Sequence, residues 1–189
     1  MDDRSTLITD GTSAYAFLTA KNLGVDHRIL SQSGIGVHFS AGGGTSKGNN
    51  LTSIYEYENY MRNDAPYTCE RQADVVSIFL GTNDNWARTQ GKASYTTEEL
   101  AGWMKELIST VKKDNPNAKI VWATTTSFEN SAQLALEELG GEEQGYYLFR
   151  FGQLDGYQAG GGYHPTAACQ QEMANRYTAF LKEKLFSQS

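Results

Sequence analysis

The feature that most constrains this chain is its alternation of short apolar runs with segments of helical periodicity. Asp74 to Leu80 (DVVSIFL), Lys119 to Thr124 (KIVWAT) and Tyr146 to Phe151 (YYLFRF) are rich in β-branched and aromatic residues. The first is nearly continuous in apolar residues, as strands of a parallel sheet are. Behind it, Leu100, Trp103, Met104, Leu107, Ile108 and Val111 recur at i, i+3, i+4 spacing. Thr96 and Glu99 form a capping box ahead of that helix, and Asn115-Pro116-Asn117 ends it. A short helix is predicted over Ser131 to Leu139, closed by Gly140-Gly141. A last helix carries Met173, Tyr177, Phe180, Leu181 and Leu185 on one face. Near the start, Thr12 to Leu23 reads as a helix capped by Thr12 or Ser13 and stopped by Gly24. His27 to Ser33 reads as a short strand. Residues 38–72 predict a long surface excursion with some helix around Ile54–Met61. Strands alternating with helices imply βαβ units: an α/β fold with a parallel sheet and helices on both faces.

Length and charge narrow the class further. A chain of 189 residues reads as one domain, residues 1–189. A net charge of −6 with scattered Lys and Arg excludes nucleic acid as a partner, because no basic face exists to neutralise a run of phosphates. No run of 18 apolar residues is present, so no membrane span is expected. The two cysteines, Cys69 and Cys169, are read as free thiols, with a disulfide as the alternative. They are too few for a structural zinc cluster, and no metal or other cofactor is expected. Met1-Asp2-Asp3-Arg4 lacks the apolar stretch of a signal peptide. Either the protein is cytoplasmic or the chain begins downstream of a targeting signal.

In open α/β sheets, sites form at the carboxyl ends of strands. Three loops follow predicted strands: Gly34–Gly36, Gly81–Asn85 and Gly152–His164. His164 stands in Gly160-Gly161-Gly162-Tyr163-His164-Pro165, where glycines permit close backbone approach and Pro165 favours a helix start. An imidazole there titrates near neutral pH, as a general base must. The plainer alternative is a helix-cap histidine. His27 and His38 read as surface residues. In Gly81-Thr82-Asn83-Asp84, the Asn83 amide is placed to donate toward a developing oxyanion, a contribution of roughly 3–4 kcal/mol per donor. The plainer alternative is a turn. Trp86, Tyr157 and Tyr163 offer flat apolar faces of the kind that stack on sugar rings. Trp103 and Trp122 are assigned to packing.

Taken in order, Ser33-Gly34-Ile35-Gly36-Val37, Leu80-Gly81-Thr82-Asn83-Asp84 and Tyr163-His164-Pro165 resemble the ordered blocks of the SGNH/GDSL hydrolases. More narrowly the chain is similar to carbohydrate esterase family 2, with Asp10 to Ala20 (DGTSAYAFLTA) as a further matching stretch. The resemblance covers nearly the whole chain. It implies a three-layer, flavodoxin-like fold and a metal-free, secreted serine esterase that removes acetyl groups from sugars such as those on xylan. It implies His164 as the base, with Gly36 and Asn83 as oxyanion donors and Gly34 as an alternative to Gly36. Trp86 and Tyr163 become substrate-contact candidates, and acetylated carbohydrate the expected partner.

Two departures from the family pattern stand out. The acid usually found three residues before the histidine is replaced by Gly161, so the imidazole lacks its orienting carboxylate. The chain also contains no Gly-Asp-Ser, the block that ends the first, central strand with the nucleophile. Three accounts stay open. The domain is N-terminally incomplete and the serine lies upstream; or Arg4 to Thr9 replaces the strand, with Ser13 or Thr12 as a displaced nucleophile; or the chain is a non-catalytic carbohydrate-binding relative. A missing central strand leaves backbone groups unpaired. The gap is therefore expected to be filled, by residues 4–9, by a complementing N-terminal segment or by another chain in a homo-oligomer.

Overall fold

The computed structural model describes residues 11–58 and 65–186. The Arg4–Thr9 replacement strand lies outside the described residues. The chain divides into two compact units, residues 32–150 and a second formed by residues 1–31 with 151–189.

The larger unit is built on three parallel strands in the order β1 (Val75–Ile78), β2 (Lys119–Thr124) and β3 (Tyr146–Arg150). The register aligns Val75 with Lys119 and Ile120 with Tyr146. The parallel sheet and the α/β class are those expected from the alternation. β2 is central among the described strands, and Ile120 to Thr124 are all buried. Successive strand side chains point to opposite faces, so both faces of β2 are covered.

Among the described residues, the α-helices of this unit are α2 (Thr82–Thr89), α3 (Thr97–Asp114) and α4 (Glu129–Glu138). The Thr96 capping box forms as predicted: Glu99 N–H donates to Thr96 Oγ1 at 3.2 Å, and the Thr96 N–H to Glu99 Oε2 at 2.7 Å. The apolar stripe of α3 (Leu100, Met104, Leu107, Ile108, Val111) shares one core with Ile78, Ile120 and Trp122. Burying such side chains contributes about 1.5–3 kcal/mol each, and this is what fixes α3 against the sheet.

Several expectations are corrected. His27 to Ser33 is not a strand; the segment is irregular and largely exposed, with Ile29 and Leu30 about half exposed. Strand propensity yields a strand only where ladder partners exist, and none is formed with this segment among the described residues. Of the helix expected around Ile54–Met61, residues 54–58 form turns instead, and residues 59–61 lie outside the described residues. The 38–72 segment is also no pure surface excursion. Ile54 and Asn50 are buried, Leu51 and Tyr55 pack on the main core, and a bridge joins Gly36 to Asn50.

The smaller unit pairs α1 (Tyr15–Leu23) with α5 (Ala167–Leu181), which continues as a π-helical turn, Lys182–Phe186. Neither Thr12 nor Ser13 caps α1. Both lie in a 3₁₀ turn, Gly11–Ser13, and the N-cap is Ala14 with no side-chain cap. The Tyr15 N–H instead donates to Gln170 Oε1 of α5 at 2.8 Å. A tertiary partner thus satisfies a donor that a local cap was expected to take. Gly24 stops the helix at φ 67°, as expected. Tyr15 stands edge-on to Phe151 at 5.3 Å, and Phe151, Met173, Ala174 and Tyr177 are buried. Cys69 and Cys169 are free thiols. Burial pushes the Cys169 thiol up, with Arg176 pulling the other way.

Candidate active site

The segment Gly81-Thr82-Asn83-Asp84 is not a loop. Gly81, at φ 124°, turns the chain out of β1, and Thr82 opens α2. A side chain at Gly81 would meet the Phe128 ring at 2.6 Å, so glycine is required there. Asn83 and Asp84 therefore sit in the first turn of a helix, with defined directions.

Asp84 is fully buried. Its carboxylate accepts three consecutive backbone N–H groups: Val37 on Oδ2, and His38 and Phe39 on Oδ1, each at 2.8 Å. Charge-assisted bonds of this kind are about twice as strong as neutral ones, and the α2 N-terminus adds a favourable dipole. The carboxylate thereby moulds residues 35–39 into one shape. Gly36 is the residue this shape demands, since an added Cβ would lie 2.1 Å from Phe39 O and 2.4 Å from Asp84 Oδ2. The next side chains anchor the loop further. The His38 ring stacks on Trp103 at 3.8 Å, and Phe39 stacks on Tyr95 at 5.8 Å. His38 is half-buried, rather than the surface residue expected.

Asn83 is joined to the same loop. Its Nδ2 donates to Ile35 O at 2.7 Å. An amide carries two N–H donors, so one remains, with the amide plane set by the first. The two backbone candidates differ. The Gly36 N–H faces Asn49 O at 3.5 Å, while the Gly34 N–H makes no hydrogen bond among the described residues. Gly34 itself is at φ 76°. Trp86, on α2, is 49% exposed.

His164, Tyr163 and Ser13 belong to the smaller unit. His164 is exposed, and among the described residues its imidazole makes no hydrogen bond and meets no orienting carboxylate. Its backbone is tied instead: Gly160 N–H donates to His164 O at 2.8 Å, and His164 N–H to Gly161 O at 3.3 Å. Gly160 allows this approach, since a Cβ there would lie 2.6 Å from His164 O. Gly162 and Tyr163 both have φ 63°, a pair typical of a type I′ turn. Tyr163 is the only described non-glycine residue with positive φ, and it is 82% exposed. The helix start is two residues later than Pro165 suggested: Thr166 caps α5 by accepting from the Cys169 N–H at 3.2 Å. Among the described residues, no group of His, Cys, Asp or Glu is arranged to hold a metal.

The sequence pattern pointed to Asn83 but gave Asp84 no role beyond a turn. The available signal was position: an Asp three residues into a segment leaving a buried strand is well placed at a helix start. Its partners lie some 46 residues away in the chain, beyond any local pattern.

With this geometry described, likeness to known proteins can be stated. Residues 2–177 match the family described as GDSL-like Lipase/Acylhydrolase. The chain belongs to that family. It is 30% identical over 188 residues to the cellulase/esterase CelE of Acetivibrio thermocellus, covering 91% of this chain and 22% of that protein. It is 26% identical to an acetylxylan esterase / glucomannan deacetylase of Cellvibrio japonicus, covering 93% of this chain and 51% of that one. A solved family two carbohydrate esterase from Clostridium thermocellum, in complex with cellohexaose, superposes with a TM-score of 0.81 at 25% identity. That match covers 96% of this chain and 57% of the other. The chain thus spans from about a fifth to somewhat over half of the length of these GDSL relatives. Its resemblance to carbohydrate esterase family 2 is confirmed, and with it the α/β fold of the SGNH hydrolases.

Proposed function

We propose that this chain is the catalytic core of an esterase that removes acetyl groups from carbohydrate. The observation that carries the reading is the Asn83 amide. One of its N–H groups is spent on Ile35 O, which leaves the other oriented beside a glycine loop clamped by Asp84. Donors fixed before the reaction are what acyl transfer requires, because they meet the developing oxyanion without reorganisation. Gly34, whose N–H is unspent, is the preferred backbone partner, with Gly36 as the alternative. His164 acts as general base toward a serine and then toward the water that releases acetate. Trp86 and Tyr163, exposed and flat, contact the sugar. The relatives' names, which include acetylxylan esterase and cellulase/esterase, favour an acetylated polysaccharide.

Purified protein is expected to release p-nitrophenol from p-nitrophenyl acetate. His164→Ala should abolish the release with no change in melting temperature, and Ser13→Ala tests the candidate nucleophile within the chain. Turnover unchanged in His164→Ala would reject the base assignment. A second reading, a non-catalytic carbohydrate-binding relative, is favoured by the lack of any Gly-Asp-Ser in the sequence. It predicts no turnover together with measurable binding of a xylo-oligosaccharide.

A further inference from the structure

Asp84 is the only buried carboxylate among the described residues, and the proposed chemistry gives it no step. None of the ion pairs among the described residues involves it. A charge taken out of water without a counter-ion is unfavourable unless hydrogen bonds replace the lost hydration. Here the N–H groups of Val37, His38 and Phe39 replace it. A loop can be fixed without any buried charge, as the bond from Gly160 N–H to His164 O illustrates. The charge at Asp84 therefore calls for a reason, and its neighbour in the chain supplies one.

Asn83 and Asp84 stand side by side in the first turn of α2 and grip four consecutive peptide groups with opposite polarity. Asn83 Nδ2 donates to the carbonyl of the Ile35–Gly36 peptide at 2.7 Å. Asp84 accepts from the N–H of each of the next three peptides, all at 2.8 Å. Each peptide group is planar, so the chain has only two soft torsions between one plane and the next. Gly36 leaves little slack at that joint, packed so closely that an added Cβ would lie 2.4 Å from Asp84 Oδ2. The Ile35 carbonyl is thus aimed by the peptides that Asp84 holds. A carbonyl only accepts, so it selects the Nδ2 end of the Asn83 amide and sets the amide plane. We propose that Asp84 is a positioning residue: by holding residues 37–39 it aims the Ile35 carbonyl, which in turn orients the second N–H of Asn83. The positioning stands on geometry alone, and only its effect on turnover rests on the esterase reading.

The test is hydrogen exchange by NMR on the full, isotope-labelled chain, with the Asn83 side-chain protons assigned by their loss in Asn83→Ala. Asp84→Asn keeps the size of the side chain. An amide oxygen has two acceptor sites, however, and the new NH2 group turns toward an N–H that it cannot accept. One stranded N–H raises the population of the opened loop at least about tenfold. Exchange of the Asn83 Nδ2 protons and of the N–H groups of residues 37–39 should rise together by that factor. The side chain of Asn115, buried in the same unit and bonded to Val111 O and the Ala73 N–H, should not respond. A purely structural role would accelerate Asn115 equally, and that result, or an unresponsive Asn83, overturns the proposal. If Asp84→Asn does not fold, the wild type decides. Asn83 and residues 37–39 must then open as one local unit with a common protection factor, and independent exchange overturns the proposal. In kinetics with p-nitrophenyl acetate, Asp84→Asn should lower kcat at least about tenfold at unchanged KM. A raised KM at constant kcat would instead make Asp84 a binding determinant and overturn its role in orienting the donor. A wild type without turnover counts against the esterase reading alone, because exchange decides the positioning by itself.

Discussion

In residues 34–39, three successive N–H groups end on one buried carboxylate, and two side chains stack on an aromatic pair. In residues 156–165 the ties are backbone to backbone: Gly160 to His164, His164 to Gly161 and Thr166 to Gly156. Both loops are glycine-rich, but glycine serves different ends. Gly36 makes room for a carboxylate, while Gly160 makes room for a carbonyl. The first loop is shaped by a buried carboxylate. The second is shaped by a turn that holds a tyrosine at positive φ. An oxyanion donor must be immobile to be effective. A base that moves a proton between two partners has less need of such a clamp.

The largest test of this contrast is Asp84→Ala. It strands three N–H groups, at about 1–3 kcal/mol for each left without a partner. A total loss of about 3 kcal/mol or more is expected in urea unfolding, and a loss near zero would show that the clamp is dispensable. Alkaline pH probes the same loop from its aromatic side. Burial pushes the Tyr95 phenol up to about 12, with Arg88 opposing and Asp84 adding to the shift. The unfolded phenol ionises near 10, so the folded state keeps its proton to higher pH. Stability is therefore unaffected by this group below about pH 10 and falls as pH rises from there toward 12. Unfolding curves from pH 9 to 12 should show the decline in the wild type and a weaker one in Tyr95→Phe.

Smaller effects are expected in the second loop. Gly160→Ala drives a Cβ to 2.6 Å from His164 O, and a loss of about 1–3 kcal/mol follows if the backbone must shift. Ester turnover should fall with it, and unchanged turnover would mean that His164 does not depend on this approach. Tyr163→Gly is the smallest. It relieves a left-handed conformation worth about 1 kcal/mol, set against the added chain entropy of glycine. Stability should be equal or slightly higher, while KM for an oligosaccharide ester should rise. A KM that does not move would remove Tyr163 from the substrate contacts.

Much of this protein can be read from sequence because the relevant physics is local. The i, i+3, i+4 stripe from Leu100 to Val111 produced α3, and Thr96 with Glu99 marked its start to the residue. The run Lys119 to Thr124 became β2 with the bounds predicted. Gly24 ended α1. The order of the three motif blocks pointed to the GDSL family, as the match over residues 2–177 bears out.

What tertiary structure decided are the features whose partners lie far along the chain. Ile29 and Leu30 have strand-like side chains, but a strand also needs a neighbour, so His27 to Ser33 forms none. Ser13 and Thr12 are good capping residues, yet Gln170, 155 positions away, takes the N–H at the start of α1. Asp84 looks like a turn residue until folding brings Val37, His38 and Phe39 onto its carboxylate. Periodicity records which face of an element is apolar, because each residue contributes to it independently. The destination of a hydrogen bond depends on two residues at once, and only the folded chain brings them together.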